Sequence, residues 1–273
     1  MIQGFGTREQ TDEPVRLLVQ SAGGIMHEKL RTVGQYEKTE WPSFSGSVAD
    51  KPCVIFGILR GTQDIINACK TNQQDWYYFD HAYFGGNKHA PSPITGEKIY
   101  RLTKNGLHID HIQKLKKSDY ERIEKYQKHI TVESWKYNDD GQVLLVAPSE
   151  HVEKQWNMKG WTDNMVKRLK KQLKGRTLKV RQKDDPINIK DDIRKSYCVV
   201  SMQSAVVIDC MILGVPSFCE DFSMGAPVSN TEFDLDNPLY SIERSVWIDT
   251  LLTNQFTMTE LQDGTAWKYV SNS

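Results

Sequence analysis

The run Phe79-Asp80-His81-Ala82-Tyr83-Phe84-Gly85-Gly86 places a carboxylate and an imidazole side by side at the end of a strand-like segment, just before a diglycine turn. A base at a strand end beside a cleft can take the proton from an acceptor hydroxyl as that oxygen attacks. Asp80 is the first candidate for this role and His81 the second, with Tyr83 placed to contact the acceptor. The competing reading is local: Asp80 caps the following turn and His81 packs beneath Tyr83.

A second constellation suits phosphate. Ser201-Met202-Gln203-Ser204 ends an apolar run and opens a helix expected from Ala205 to Leu213. A helix start offers unpaired N–H groups and the positive end of the macrodipole, and the Ser201 and Ser204 hydroxyls and the Gln203 amide add donors. A pyrophosphate joined to a sugar fits there, whereas the plainer role for Ser204 is that of a helix cap. Arg181 and Lys183 end another short strand, where a guanidinium fork and an ammonium would meet charge on a departing diphosphate. Ser149 and Glu150 follow the apolar strand Val143-Leu144-Leu145-Val146-Ala147, and Glu220 follows Gly214-Val215-Pro216-Ser217-Phe218-Cys219, where a carboxylate could accept from a ribose diol.

These residues need a particular frame. Unalternated apolar strands are those of a parallel sheet covered on both faces, in which ligands collect at the carboxyl ends. From Gln142 to Glu220 the order reads β-α-β-α-β-α-β. The first half reads as α/β more loosely: a strand from Arg16 into the turn Gly23-Gly24, a second from Cys53, a helix from Gln63 to Lys70, and a third strand from Asp75 to His81.

The stretch from Ser201 to Pro216, with Gly214-Val215-Pro216 opening the next strand, resembles the donor-side signature of GT-B glycosyltransferases. It is most similar to the group of capsular-polysaccharide and glycerophosphate transferases and the small transferases of bacteria and phages. The tail from Asn254 to Trp267 resembles the end of phage-type members. The resemblance implies two Rossmann-like domains facing a central cleft, residues 1–136 on the acceptor side and 137–273 binding the nucleotide sugar, with a terminal helix that crosses back to the first. It implies a nucleotide-sugar donor, expected to be UDP-linked, bound by Ser149, Glu150, Arg181, Lys183, Ser201, Gln203, Ser204 and Glu220, and no further cofactor. Where capsule-type relatives carry a His-Pro pair, this chain has Lys183-Asp184-Asp185-Pro186. No Glu-x7-Glu pair of the retaining kind occurs, so inversion is expected.

The acceptor side is expected to include Gly23, Gly24, His27, Tyr83, Lys116 and Lys117, with Glu28 beside His27. The basic stretch between Tyr100 and His129, interleaved with tyrosines, could follow a nucleic-acid backbone. Net charge is zero over 273 residues, yet 12 Lys/Arg face 4 Asp/Glu between Lys167 and Lys195. The favoured acceptor is therefore a hydroxymethylated base of phage DNA. The alternatives are a capsular or cell-surface polysaccharide, and a non-catalytic nucleic-acid-binding protein on a degenerate transferase scaffold. No apolar run reaches 18 residues, so membrane insertion is not expected and the compartment is taken as cytoplasmic, the host's if the protein is phage-encoded. The five cysteines show no zinc spacing and are expected to be buried thiols, with no metal site.

Overall fold

The computed structural model describes residues 1–7, 9–27, 48, 50–58, 61–86 and 90–272. The chain forms two compact units, Met1–Ile109 with Leu251–Ser273, and Asp110–Thr250.

In the first unit the strands β1 (Gln3–Phe5), β2 (Ile25–His27), β3 (Cys53–Phe56), β4 (Trp76–His81) and β5 (Ile99–Lys104) join the chain's last strand, β10 (Gln255–Thr257). The sheet runs β10-β5-β4-β3-β1-β2. Strands β1 to β4 are parallel; β5 is antiparallel to β4, and β10 to β5. Successive strand residues alternate between two cores. Val54, Phe56, Tyr77 and Phe79 meet Val15, Leu18 and Val19 of α1 (Glu9–Ser21) together with Leu261, Ala266 and Val270 from the tail helices α9 (Met258–Gln262) and α10 (Thr265–Ser271). Cys53, Ile55, Trp76 and Tyr78 meet Ile65, Ile66 and Cys69 of α2 (Thr62–Thr71).

The strand expected from Arg16 is instead the end of α1. Its buried residues Val15, Leu18 and Val19 recur at helical spacing, and Pro14 lies within the helix. Gly23 ends that helix with φ +66°, and a side chain on Gly24 would strike the Ile2 carbonyl as β2 begins. Both glycines therefore stand at the amino end of β2, opposite the strand ends where ligands gather.

The second unit carries an all-parallel sheet of β6 (Gln142–Val146), β7 (Leu178–Arg181), β8 (Ser196–Ser201) and β9 (Ser217–Phe218), in the order β7-β6-β8-β9. Val143, Leu145, Cys198, Val200 and Phe218 pack on Trp161, Met165 and Leu169 of α5 (Trp161–Lys170). The remaining helices are α3 (Lys117–Gln127), α4 (Glu150–Gln155), α6 (Ile189–Arg194), α7 (Val206–Leu213) and α8 (Arg244–Thr253).

The unit boundaries differ from the expected division at 136/137. Residues 110–136 are tied into the second unit: the Gln113 N–H donates to Thr250 Oγ1 at 3.2 Å, and those of Glu133 and Lys136 to the Ile212 and Gly214 carbonyls at 2.8 and 2.7 Å. Gly214 ends α7 with φ +70°, and a Cβ there would strike Ser134. Residues 251–273 return to the first unit because β10 completes its sheet.

Candidate functional site

The chain leaves β6 toward β7 on one side and later returns to β8 on the other, so the carboxyl ends of β6 and β8 form a topological switch point. Helices cross over in opposite directions there and leave a crevice. A cavity of about 550 Å³ opens at this point. Its walls come from three strand ends: Ala147 to Ser149 after β6, Arg181 to Lys183 at β7, and Met202 to Val206 after β8.

Ser204 serves two purposes. Its Oγ accepts the Val206 N–H at 3.2 Å, which fixes the turn leading into α7, and its own O–H is left to donate. Gln203 and Ser149 also line the cavity, and so does Lys183, an exposed ammonium with no ion pair among the described residues. Other expected donor residues are placed elsewhere. Ser201 is buried at the end of β8 and Glu150 is exposed on the first turn of α4; neither lines the cavity. The Glu220 carboxylate accepts the Trp161 indole N–H and braces α5.

Arg181 reaches the cavity wall, but its charge is already committed. Its Nη1 lies 2.6 Å from Asp192 Oδ2 and 3.4 Å from Asp185 Oδ1, while Nη2 donates to the Asp185 and Ile187 carbonyls. Lys179 Nζ adds contacts of 2.8 and 2.9 Å to Asp192. Burial pushes the Asp192 carboxyl up, and the hydrogen bonds from Lys179 and Arg181 more than offset it, leaving it below the usual range.

The cavity also holds a residue that motif reading did not select. Asp209 is the single charged side chain of α7, otherwise Val-Val-Ile and Cys-Met-Ile-Leu, and it lines the cavity at 29% exposure. Burial raises its carboxyl above the usual range, with Lys190 Nζ at 3.5 Å pulling the other way. One acid in a wholly apolar helix was the available signal.

In the first unit, Asp80 sits at the carboxyl end of β4 and both of its oxygens are occupied. Oδ2 pairs with Arg101 Nη2 at 2.7 Å and accepts the Tyr78 hydroxyl at 3.0 Å; Oδ1 accepts the His81 N–H at 2.8 Å. Arg101 lies over the rings of Tyr78 and Tyr83, and the Tyr83 hydroxyl accepts the Ile109 N–H at 3.2 Å, so Tyr83 is an internal brace. His81 packs edge-on against Phe56, with ring centroids 5.8 Å apart. His27 ends β2 and stacks on Phe5 at 5.1 Å, while Glu28 lies outside the described residues. Lys116 and Lys117 are exposed at the start of α3 and belong to the second unit.

All five cysteines are free and buried. Among the described residues no group of three His, Cys, Asp or Glu side chains has metal-holding geometry, and no helix is long and apolar enough to cross a membrane.

Two Rossmann-like units, one carrying a switch-point cavity, define the class of fold: the chain is α/β and GT-B-like. Among solved structures it is similar to Thermosulfurimonas dismutans KpsC, beta Kdo 2,7 transferase, with a TM-score of 0.51 at 9% identity over 98% of this chain and 99% of that one. The same organism's KpsC, beta Kdo 2,4 transferase, aligns with a TM-score of 0.48 at 7% identity over 91% of this chain and 90% of that one. No protein-family model and no curated protein matches the sequence.

Proposed function

We propose that the protein is a glycosyltransferase that moves a sugar from a nucleotide-sugar donor to a hydroxyl acceptor with inversion. The reading is carried by the switch-point cavity, where Ser204, Gln203, Ser149 and Lys183 converge beside the start of α7. The donor phosphate lies against Ser204 with Lys183 as its counter-charge, and the Asp209 carboxylate accepts from a ribose hydroxyl. Arg181 acts behind this wall by fixing the β7 end through Asp192.

The base comes from the end of β4. Asp80 was the first candidate, but Arg101, Tyr78 and the His81 N–H already take three of its roughly four lone-pair sites. His81 is the better choice, with Asp80 and Arg101 holding the strand end in place. The imidazole takes the acceptor proton as the hydroxyl oxygen attacks the anomeric carbon, and the nucleotide departs from the opposite face with the phosphate oxygen.

A saccharide hydroxyl is the favoured acceptor, by analogy with the sugar transfer named for the Kdo 2,7 transferase whose fold this chain resembles. The DNA reading is supported by exposed Lys167 and Lys170 on α5 and Lys171 just after it. It is weakened because Arg168, Lys174 and Arg176 in the same stretch are bound to the Glu232 carbonyl, Asp236 and the Asp139 carbonyl. Mass spectrometry of products from a panel of nucleotide sugars, with oligosaccharides and hydroxymethylated DNA as acceptors, tests the proposal. Absence of transfer and of donor hydrolysis across the panel counts against it.

A further inference from the structure

The end of the second sheet opposite the cavity carries an aromatic ladder that the donor reading does not use. Trp135 and Tyr137 stand just before the turn into β6, where the Lys136 N–H bonds the Gly214 carbonyl at 2.7 Å and the Gly141 N–H bonds the Asn138 carbonyl at 3.0 Å. The Tyr240 ring meets Trp135 edge-on at 5.5 Å and Tyr137 at 4.7 Å, and the Arg244 guanidinium lies 4.1 Å over Trp135. Apolar side chains stand out around these rings. Tyr137 is 71% exposed, and the segment from Leu239 to Val246, which supplies Tyr240 and Arg244, also exposes Leu239, Val246 and Ile242, the last at 96%. Single exposed apolar residues are ordinary, whereas several gathered with tyrosine, tryptophan and arginine have the composition of an interface centre.

The charges are arranged for a partner of the same kind. Arg244 is half-buried and forms no ion pair among the described residues, and burial lowers its guanidinium with no carboxylate opposing the shift. A cation taken partly out of water ordinarily has a carboxylate beside it. The ladder runs Arg244, Trp135, Tyr240, Tyr137, and the turn after Tyr137 carries Asp139 and Asp140, both exposed and neither carboxylate paired among the described residues. We infer that this face binds a second copy of the chain in a two-fold dimer, with the tyrosines and Ile242 at its centre and Arg244 of each copy against Asp139 and Asp140 of the other. A two-fold contact sets each patch against itself in reverse, so a cation at one end and carboxylates at the other become an ion pair on either side of the axis. An acidic saccharide or an anionic membrane would satisfy Arg244 but meet Asp139, Asp140 and exposed Glu243. A second copy answers both signs of charge. The donor cavities lie at the carboxyl ends of the strands, so pairing through the amino ends leaves them open.

The test is sedimentation velocity of the full chain across the micromolar range, with circular dichroism as the check on folding. The samples are wild type, Ile242→Asp, Arg244→Glu and the double variant Asp139→Lys/Asp140→Lys. Wild type is expected to pass from monomer to dimer as concentration rises. Each variant should weaken the dimer about tenfold or more, the loss typical of a central interface residue, with its fold intact. Ile242 is almost wholly exposed, so its substitution does not act through the core. The sharpest sample is an equimolar mixture of Arg244→Glu with Asp139→Lys/Asp140→Lys. Each of these repels its own kind, while the mixed pair matches charge at both contacts and should dimerise as wild type does. A mixture that stays monomeric overturns the two-fold pairing, and a dimer that none of the variants weakens overturns it by placing the interface elsewhere. A wild-type chain that is monomeric throughout overturns the inference outright. If that monomer binds oligogalacturonate, or sediments with phosphatidylglycerol vesicles, and Arg244→Glu abolishes the binding, the face belongs to an acidic saccharide or to a membrane instead.

Discussion

Arg181 Nη1 lies 2.6 Å from Asp192 Oδ2, with side-chain exposures of 9% and 5%, so the strongest cation on the cavity wall is neutralised within the protein. The pairing joins the end of β7 to α6 and leaves Lys183 as the uncommitted cation among the described cavity residues. It changes what substitution at each position should do.

Arg181→Ala removes one of the two cations on buried Asp192 and leaves Lys179 in place, so it should be destabilising by less than the ~3–5 kcal/mol of a fully stranded buried charge. Urea unfolding should show that loss, whereas exposed Lys183→Ala should stay within ~0.5 kcal/mol of wild type. Equal stability of the two variants would remove the structural role assigned to Arg181.

The same pair sets an acid limit. The folded-state carboxyl of Asp192 lies below its unfolded value of ~3.9. Its contribution is therefore present above that value and is lost as pH falls through the folded one. Asp192→Asn should be less stable than wild type at pH 7, with the difference shrinking as pH falls below ~4. A gap that stays constant from pH 7 to pH 2.5 would show that the charge on Asp192 contributes nothing.

Asp209 carries the opposite sign. Burial raises its folded-state carboxyl, so its contribution is full below the unfolded value and lost as pH rises through the folded one. At neutral pH the charged form is a cost, and Asp209→Asn should raise Tm at pH 7 with no gain at pH 3. Nucleotide affinity should fall in the same variant, since a carboxylate accepts ribose hydroxyls better than an amide does. A stabilised variant that binds nucleotide as tightly as wild type would confine Asp209 to a structural part.

For the chemistry, His81→Ala should lower turnover by ~10²–10⁴ with donor affinity unchanged, as loss of a general base does. Asp80→Asn leaves Arg101 without its carboxylate and should lower Tm, with a smaller loss of turnover. A larger rate loss in Asp80→Asn than in His81→Ala, at matched folded fraction, would return the base to Asp80.

The second unit was legible because its central strands β6 and β8 are covered on both faces. Val143 to Leu145 and Cys198 to Val200 are fully buried, and such strands announce themselves as unbroken apolar runs. The run Leu17-Leu18-Val19 was ambiguous because a short apolar stretch suits a helix as well as a strand; its neighbour Val15 decides for the helix. The unit boundary was hidden because β10 has the polar sequence Gln255-Phe256-Thr257, and its burial follows from pairing with β5 far away in the chain. Arg181 was read as available because its partner Asp192 stands on the next helix, a contact that no local pattern encodes.

The central claim is that a donor nucleotide occupies the cavity at the switch point of the second unit, with its phosphate against Ser204 and Lys183. Calorimetric titration of wild type, Lys183→Ala and Ser204→Ala with UDP, GDP, CDP and ADP and the matching monophosphates tests it most directly. Saturable binding of at least one nucleotide is predicted, weakened by ~1.5–3 kcal/mol in Lys183→Ala and by ~0.5–1.5 kcal/mol in Ser204→Ala, with both variants as stable as wild type to within ~2 kcal/mol. Failure of every nucleotide to bind, or binding that neither substitution changes, would contradict it.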